Sequence, residues 1–409
     1  MNSDEFRNNI SIPFNLPKHG SSDIKVIGIG GCGGNAVNYM LKNGIDGADL
    51  IICNTDKQAL NSSPVRNKIQ LGVSLTEGRG SGGDPEIGRK SVEESISEIK
   101  KVLETKTKML FLTSGMGGGT GTGASPIIAK LAREMNILTV AVITLPFKRE
   151  GKLRSKIARI GLEEIRKNVD SLIIINNEKL NKVYGDLSIV EAYEKSDEVL
   201  CKGVKSVVEI VSRNLKVNVD LNDVTSVLKD SGTAVMGIGI ASGENRVEEA
   251  INTALDFPLL EYKSILGAKK ILLKIVWEND APTSKEIDYI SAHIQNEAGG
   301  DAYICEGVGT VEGMGENIQI TIIATGFGIG LQDKHLGFDV DSTSFFHRGD
   351  DAISLSQEAH ILKINKTKIN HIKSFNKRMS NDEIKKLEDE PAYKRLERDN
   401  YNFFRKDTK

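Results

Sequence analysis

KMLFLTSGMGGGTGTGASPIIAKLA (residues 108–132) joins an apolar run to a helix-like stretch through six glycines in the twelve positions 114–125. Glycine inside a helix or strand costs roughly 0.5–1 kcal/mol relative to alanine. A cluster this dense therefore implies that something approaches the backbone closely. The flanks decide the fold. KMLFLTSG reads as a strand buried on both faces, and SPIIAKLAREM as a helix with Pro126 in its first turn, where a missing N–H costs little. Outward from there, IKVIGIGG, ADLIICNTD, LTVAVITLPF and SLIIINNEKL are further continuous apolar runs, separated by helical segments such as NAVNYMLKNGI. Strands buried on both faces and alternating with helices specify an α/β architecture with a doubly wound, mostly parallel sheet.

The rhythm then changes. A long helix is expected from about Ile189 to Ser212, and a short one near Val224–Leu228. TAVMGIGIAS, KKILLKIVW, DAYICEGV and NIQITIIATGF follow, with a helical TSKEIDYISAHIQNEA among them, which predicts a second, smaller α/β domain with a mixed sheet. The chain so divides into a flexible arm (1–23), a first domain (24–188), a connecting helix (189–212), a second domain (213–330) and a polar, disordered linker and tail (331–409).

With 39% hydrophobic residues in 409, the chain can bury a large core. A formal net charge of −2 gives no electrostatic support for nucleic acid, whose binding depends on clustered Lys and Arg. Cys32, Cys53, Cys201 and Cys305 are scattered without metal or disulfide spacing, which suits a reducing cytosol. No apolar run approaches the ~20 residues of a membrane span, and residues 1–23 lack the apolar core of a signal peptide. The expectation is a cytoplasmic protein without membrane insertion.

A second glycine loop, GIGGCGGNA, covers residues 28–36. Gly28, Gly30 and Gly33 match the GxGxxG dinucleotide fingerprint, and Asp56 ends the next strand at about the expected distance. An NAD(P)-dependent oxidoreductase, or a tight turn without ligand, would account for this loop alone. In a parallel sheet, however, loops at strand C-termini share one edge. Both glycine loops then face one crevice, and the helix N-termini behind them make it an anion site. Two loops suit a triphosphate held from two sides, with Thr120 and Thr122 adding hydroxyls. No GxxxxGK[ST] occurs, so this is not a P-loop protein.

GGGTGTG (117–123) is the signature of the tubulin/FtsZ superfamily. IKVIGIGGCGGNAVNYM, NTDKQAL, LTVAVITLPFKREGKLR, VDSLIIINNEKL and NVDLNDV extend the resemblance to bacterial FtsZ over about residues 24–328. The resemblance implies a GTPase that polymerises head to tail into the cell-division ring at mid-cell. Gly31, Cys32 (where the family more usually has glycine), Gly33, Gly34 and Asn35 would cradle phosphates. Asn54 and Thr55 would approach the nucleotide, and Gly117, Gly118, Gly119, Thr120 and Gly121 would hold its terminal phosphates. Glu150 and Arg154 would contact the ribose and phosphate side. Asp197 would read the guanine edge and Tyr193 would stack on the base. Arg149 stands where an apolar residue is common in the family.

Plainer readings stay open for these residues: a surface ion pair for Glu150 and Arg154, a solvated carboxylate for Asp197, a core aromatic for Tyr193. None of the six histidines lies between residues 24 and 188, so imidazole is not the expected base. Asn218, Asp220 and Asp223 match the family's NxDxxD loop, which completes the neighbouring subunit's site; Asp220 and Asp223 could equally cap a helix. GTP and GDP are the implied ligands, with Mg²⁺ held mainly through phosphates. The implied partners are further copies of the chain and, through the C-terminal tail, membrane-tethering and division proteins. A polymer that binds GTP without hydrolysing it is a further alternative, against which the acidic motif argues.

Overall fold

Strand β1 (Ile24–Ile29) is paired on both sides, with β2 (Asp49–Asn54) on one and β4 (Met109–Gly115) on the other. The remaining strands are β3 (Asn67–Gln70), β5 (Leu138–Leu145), β6 (Ser171–Asn176), β7 (Gly232–Ala241), β8 (Lys270–Trp277), β9 (Tyr303–Thr310) and β10 (Ile318–Thr325). In the computed structural model they form one sheet ordered β3-β2-β1-β4-β5-β6-β7-β10-β8-β9. Pairing is parallel from β3 through to β7. β10 then runs antiparallel to β7 and β8, and β8 is parallel to β9. The doubly wound parallel part and the mixed part match the expected architecture. They are one continuous sheet, joined where Ser171–Ile173 of β6 pair with Gly232–Ala234 of β7. The structure describes residues 22–179, 188–212, 216–217, 219–256 and 265–327. Residues 1–21 of the expected arm, the tail and Asn218 lie outside them.

Alternation along each strand divides the core in two. Val26, Met109, Phe111 and Val142 face helix α1 (Gly30–Lys42) and a 24-residue helix whose Val204, Val207 and Val208 are buried. Ile27, Leu110, Leu112 and Ile143 face the opposite layer, which contains α4 (Pro85–Glu94), α5 (Ile96–Leu103), α6 (Gly119–Glu134) and α7 (Lys152–Asn168). Two short helices, α2 (Lys57–Ser62) and α3 (Val73–Thr76), precede these. The long helix is α8 (Ile189–Ser212), as its sequence predicts. At 1.5 Å per residue it spans about 36 Å. After it come α9 (Leu221–Leu228), α10 (Arg246–Leu255) and α11 (Ser284–Ala298). A buried ion pair, Lys274 Nζ to Glu209 Oε2 at 2.8 Å, ties α8 to β8. No described helix is long and apolar enough to cross a membrane.

Pro126 is the eighth residue of α6, not part of its first turn, because the glycine-rich stretch from Gly119 is itself helical. Packing explains why poor helix formers sit there. A Cβ on Gly119 would lie 2.7 Å from the Asp84 N, and one on Gly121 would lie 2.6 Å from the Gly115 O. One on Gly123 would overlap the Pro85 carbonyl. Glycine thus lets α6 pack backbone to backbone on α4 and on the end of β4. Gly118, immediately before α6, differs: a Cβ there meets nothing within 4 Å.

This contrast is measurable. Gly123→Ala should lower the urea midpoint by the equivalent of roughly 1–3 kcal/mol, as overpacking does. Gly118→Ala should leave stability within about 0.5 kcal/mol, as surface changes do. Equal midpoints for Gly123→Ala and wild type would show that the helices do not meet through this residue.

Candidate active site

The reversal of strand order falls between β1 and β4, where doubly wound sheets open a crevice at their strand C-termini. Ile29 is in register with Ser114, so the two glycine loops leave the sheet side by side. They touch: a Cβ on Gly30, whose φ is +71°, would lie 3.1 Å from the Gly121 N. Together they floor a cavity of about 440 Å³. Helices α1 and α6 both begin on it, and neither N-cap residue, Ile29 or Gly118, makes a side-chain capping bond. Two uncapped helix N-termini converging on one cavity make a site for a multiply charged anion.

The other end of the cavity is built by α8. Tyr193 and Asp197, four residues apart, project from one helix face, with Ser196 beside them. Ser196 Oγ donates to Asn177 Oδ1 at 2.9 Å, fixing the helix against the end of β6. Asp197 is half-buried. Desolvation, reinforced by the nearby charge of Glu194, pushes its carboxyl up to about 7. Glu150 accepts from the Phe147 N–H at 2.8 Å and pairs with Arg154 Nε at 3.1 Å. Both line the cavity beside Pro146. Cys32 lies 3.4 Å from Thr144 Oγ1, and burial pushes its thiol up to about 11, which keeps it protonated and a poor nucleophile.

The structure brings most of the predicted ligand residues together. Gly31, Cys32, Asn35, Gly118, Gly119, Thr120, Gly121, Glu150, Arg154, Tyr193 and Asp197 all line the cavity. Gly33, Gly34, Asn54, Thr55 and Gly117 are not in its lining. A Cβ on Gly33 would overlap the Thr113 carbonyl, and one on Gly117 would lie 2.8 Å from the Arg154 Cγ, so both serve close packing. Thr55 Oγ1 backs the floor through a 2.7 Å bond with Thr120 Oγ1, which also lies 3.0 Å from Ser81 Oγ. Thr122 is likewise committed, its Oγ1 accepting from the Gly117 N–H at 2.9 Å.

Ser81, Thr144, Asn177 and Ser196 line the cavity without having been singled out in the sequence. Thr144 and Asn177 lie at the ends of β5 and β6, so the shared-edge rule that placed the glycine loops also points to them. Ser81 sits in a third glycine-rich segment, RGSGGD (79–84). Asp56, the acidic residue of the dinucleotide reading, caps α2 through Gln58 N and Ala59 N and is absent from the lining.

Asp220 and Asp223 are elsewhere. They form a capping box at the start of α9: Asp220 Oδ1 accepts from the Asn222 and Asp223 N–H groups, and Asp223 Oδ2 accepts from the Asp220 N–H at 2.9 Å. The chain after α9 is anchored through Ser231 N and Gly232 N to the carbonyl of Asp170, just before β6 begins. That is the sheet edge opposite the cavity.

Residues 23–185 match the family described as "Tubulin/FtsZ family, GTPase domain", and residues 232–328 match "FtsZ family, C-terminal domain". A cell division protein FtsZ of Pseudomonas putida is 44% identical over 319 residues, covering 78% of this chain and 79% of the relative. Its counterpart in Pseudomonas aeruginosa is 44% identical over 310 residues, covering 76% and 78%. A solved empty FtsZ dimer from M. jannaschii superposes with a TM-score of 0.70 at 37% identity, covering 76% of this chain and 90% of that one.

The raised Asp197 carboxyl has a defined pH signature. Folding strengthens its hold on the proton relative to the ordinary 3.8, so its contribution to stability is complete below about pH 4 and is lost as the pH rises through about 7. In urea titrations of the ligand-free protein, wild type should lose stability relative to Asp197→Asn across that window. Parallel curves would place the carboxylate in bulk solvent.

Proposed function

Because the chain belongs to the FtsZ family of tubulin-related GTPases, we propose that it binds GTP in the cavity between its glycine loops, hydrolyses it where two copies meet, and assembles head to tail into the filaments of the bacterial division ring. The observation that carries this reading is the separation of two half-sites. The anion cavity opens at the C-terminal edge of the parallel strands, and the Asp220–Asp223 pair follows α8, anchored toward the other edge. One chain cannot bring its own carboxylates to its own cavity along a helix of about 36 Å. A second copy stacked in the same orientation can present them from outside. Such heterologous contacts, if they do not close into a ring, run on as an open filament.

Each side chain then has a task. The first-turn N–H groups of α1 and α6 receive phosphate oxygens. Asp197, once ionised, accepts from N1–H and N2–H of guanine, donors that adenine does not present together. Tyr193 offers its face to the base. Glu150 and Arg154 hold the ribose and phosphate side, while Asp220 and Asp223 orient and deprotonate the water for the neighbour's γ-phosphate. The cavity's two carboxylates, Glu150 and Asp197, do not form a cation cage: Glu150 is bound to Arg154 and Phe147, and Asp197, pushed up to about 7, is only partly ionised near neutral pH. With no carboxylate cage among these residues, Mg²⁺ would be held mainly through phosphate and water, and would supply charge neutralisation during phosphoryl transfer. The reading places the protein in the cytoplasm at the division site and assigns membrane tethers and other division proteins to the tail.

Asp223→Ala separates a cap from a catalyst. The variant should bind GTP nearly as wild type does and form persistent filaments, yet lose ~10²–10⁴-fold in turnover. Wild-type specific activity should rise with protein concentration as copies stack. Normal hydrolysis at every concentration, with a stability loss of ~0.5–2 kcal/mol, would reduce Asp223 to a helix cap.

A further inference from the structure

Arg149 is absent from the cavity lining, yet its guanidinium lies 4.1 Å from the centroid of the Phe147 ring and 5.5 Å from that of Tyr193. The two rings meet edge to face, with centroids 5.4 Å apart and planes at 90°. Phe147 is buried, while Tyr193 is 44% exposed at the cavity wall. The backbone carrying Arg149 is fixed on either side. Phe147 N donates to Glu150 Oε1 at 2.8 Å, and Lys148 N donates to Glu178 Oε2 at 3.0 Å. A cation held by a pinned turn therefore bridges a buried ring and an exposed one.

We propose that Arg149 is a positioning residue for the nucleobase end of the cavity, clamping Tyr193 against Phe147 so that the tyrosine ring stands ready to stack on guanine. The proposal rests on reading the cavity as a guanine-nucleotide site. The physical grounds are two. A cation within about 6 Å of a ring centroid is attracted to the ring's negative face. A half-exposed aromatic side chain held in place beforehand also has less freedom to lose when a base lands on it. The backbone bonds of the turn leave the guanidinium free to act through the rings, so its effect is on the base rather than on the phosphates at the far end.

The test is competition of GMP, GDP and GTP against a fluorescent GDP analogue on the full chain, with thermal melts confirming the fold of each variant. Arg149→Leu should weaken all three ligands by a similar factor, about two- to fivefold. Arg149→Lys, which keeps the cation, should recover part of the loss. In a Tyr193→Leu background, Arg149→Leu should cost nothing further. A loss that grows from GMP to GTP and disappears at high salt would make Arg149 a phosphate-attracting charge and overturn the proposal. So would an unchanged loss in the Tyr193→Leu background. Failure of the wild type to bind any of the three would defeat the nucleotide reading itself, a result distinct from either.

Discussion

Backbone-to-backbone contact at the β1/β4 reversal is the constraint from which the rest follows. Gly30 abuts Gly121, Gly121 abuts the Gly115 carbonyl, and Gly119 and Gly123 lie against the start of α4. Side chains at these positions would push α1 and α6 away from each other and from the sheet. Their N-termini could then no longer aim into one cavity. The glycine cluster thus has two roles that its composition does not distinguish. Most of its members bring helices and strands together, while Gly118, like Gly31, has only open space where a side chain would be.

The second constraint is the length of α8. Its first half carries Tyr193, Ser196 and Asp197 on the cavity, and its second half packs Val204, Val207 and Val208 into the core and binds Lys274 through Glu209. Breaking a buried ion pair on one side leaves an uncompensated charge, so the helix is held against β8. A rigid element that touches the cavity at one end and leads to the acidic pair beyond the other sets the cavity and that pair apart by roughly its own length, about 36 Å. That spacing is what the head-to-tail reading needs.

Much of this was legible in the residues. The continuous apolar runs gave the parallel strands, and α8 appears over the expected Ile189–Ser212 because its apolar stripe is uninterrupted. The glycine loops pointed to one edge, and the family motifs placed Tyr193, Asp197, Glu150 and Arg154, which do line one cavity. What was missed follows a pattern. Intrinsic propensity hid the start of α6, since glycine is helical there only through tertiary packing. Ser81, Thr144 and Asn177 carry no motif and come to line the cavity through the strand ends and turn that hold them. Asp56 fitted a dinucleotide spacing, but its carboxylate is used by a local cap. Asp220 and Asp223 show a limit of the opposite kind, because a capping box and a catalytic pair use the same residues at the same spacing.

The central claim, that one copy completes the site of the next, is tested most directly by mixing two inactive variants. Gly118→Val should fill part of the cavity and block binding there while keeping Asp220 and Asp223; Asp223→Ala should keep the cavity but lacks the carboxylate. Each alone should hydrolyse GTP poorly. The mixture should regain turnover, peaking near equal amounts, because GTP held by one variant meets Asp223 of the other. If the mixture is no more active than its components, although sedimentation shows the two variants co-assembling, the carboxylates do not act across the contact between copies.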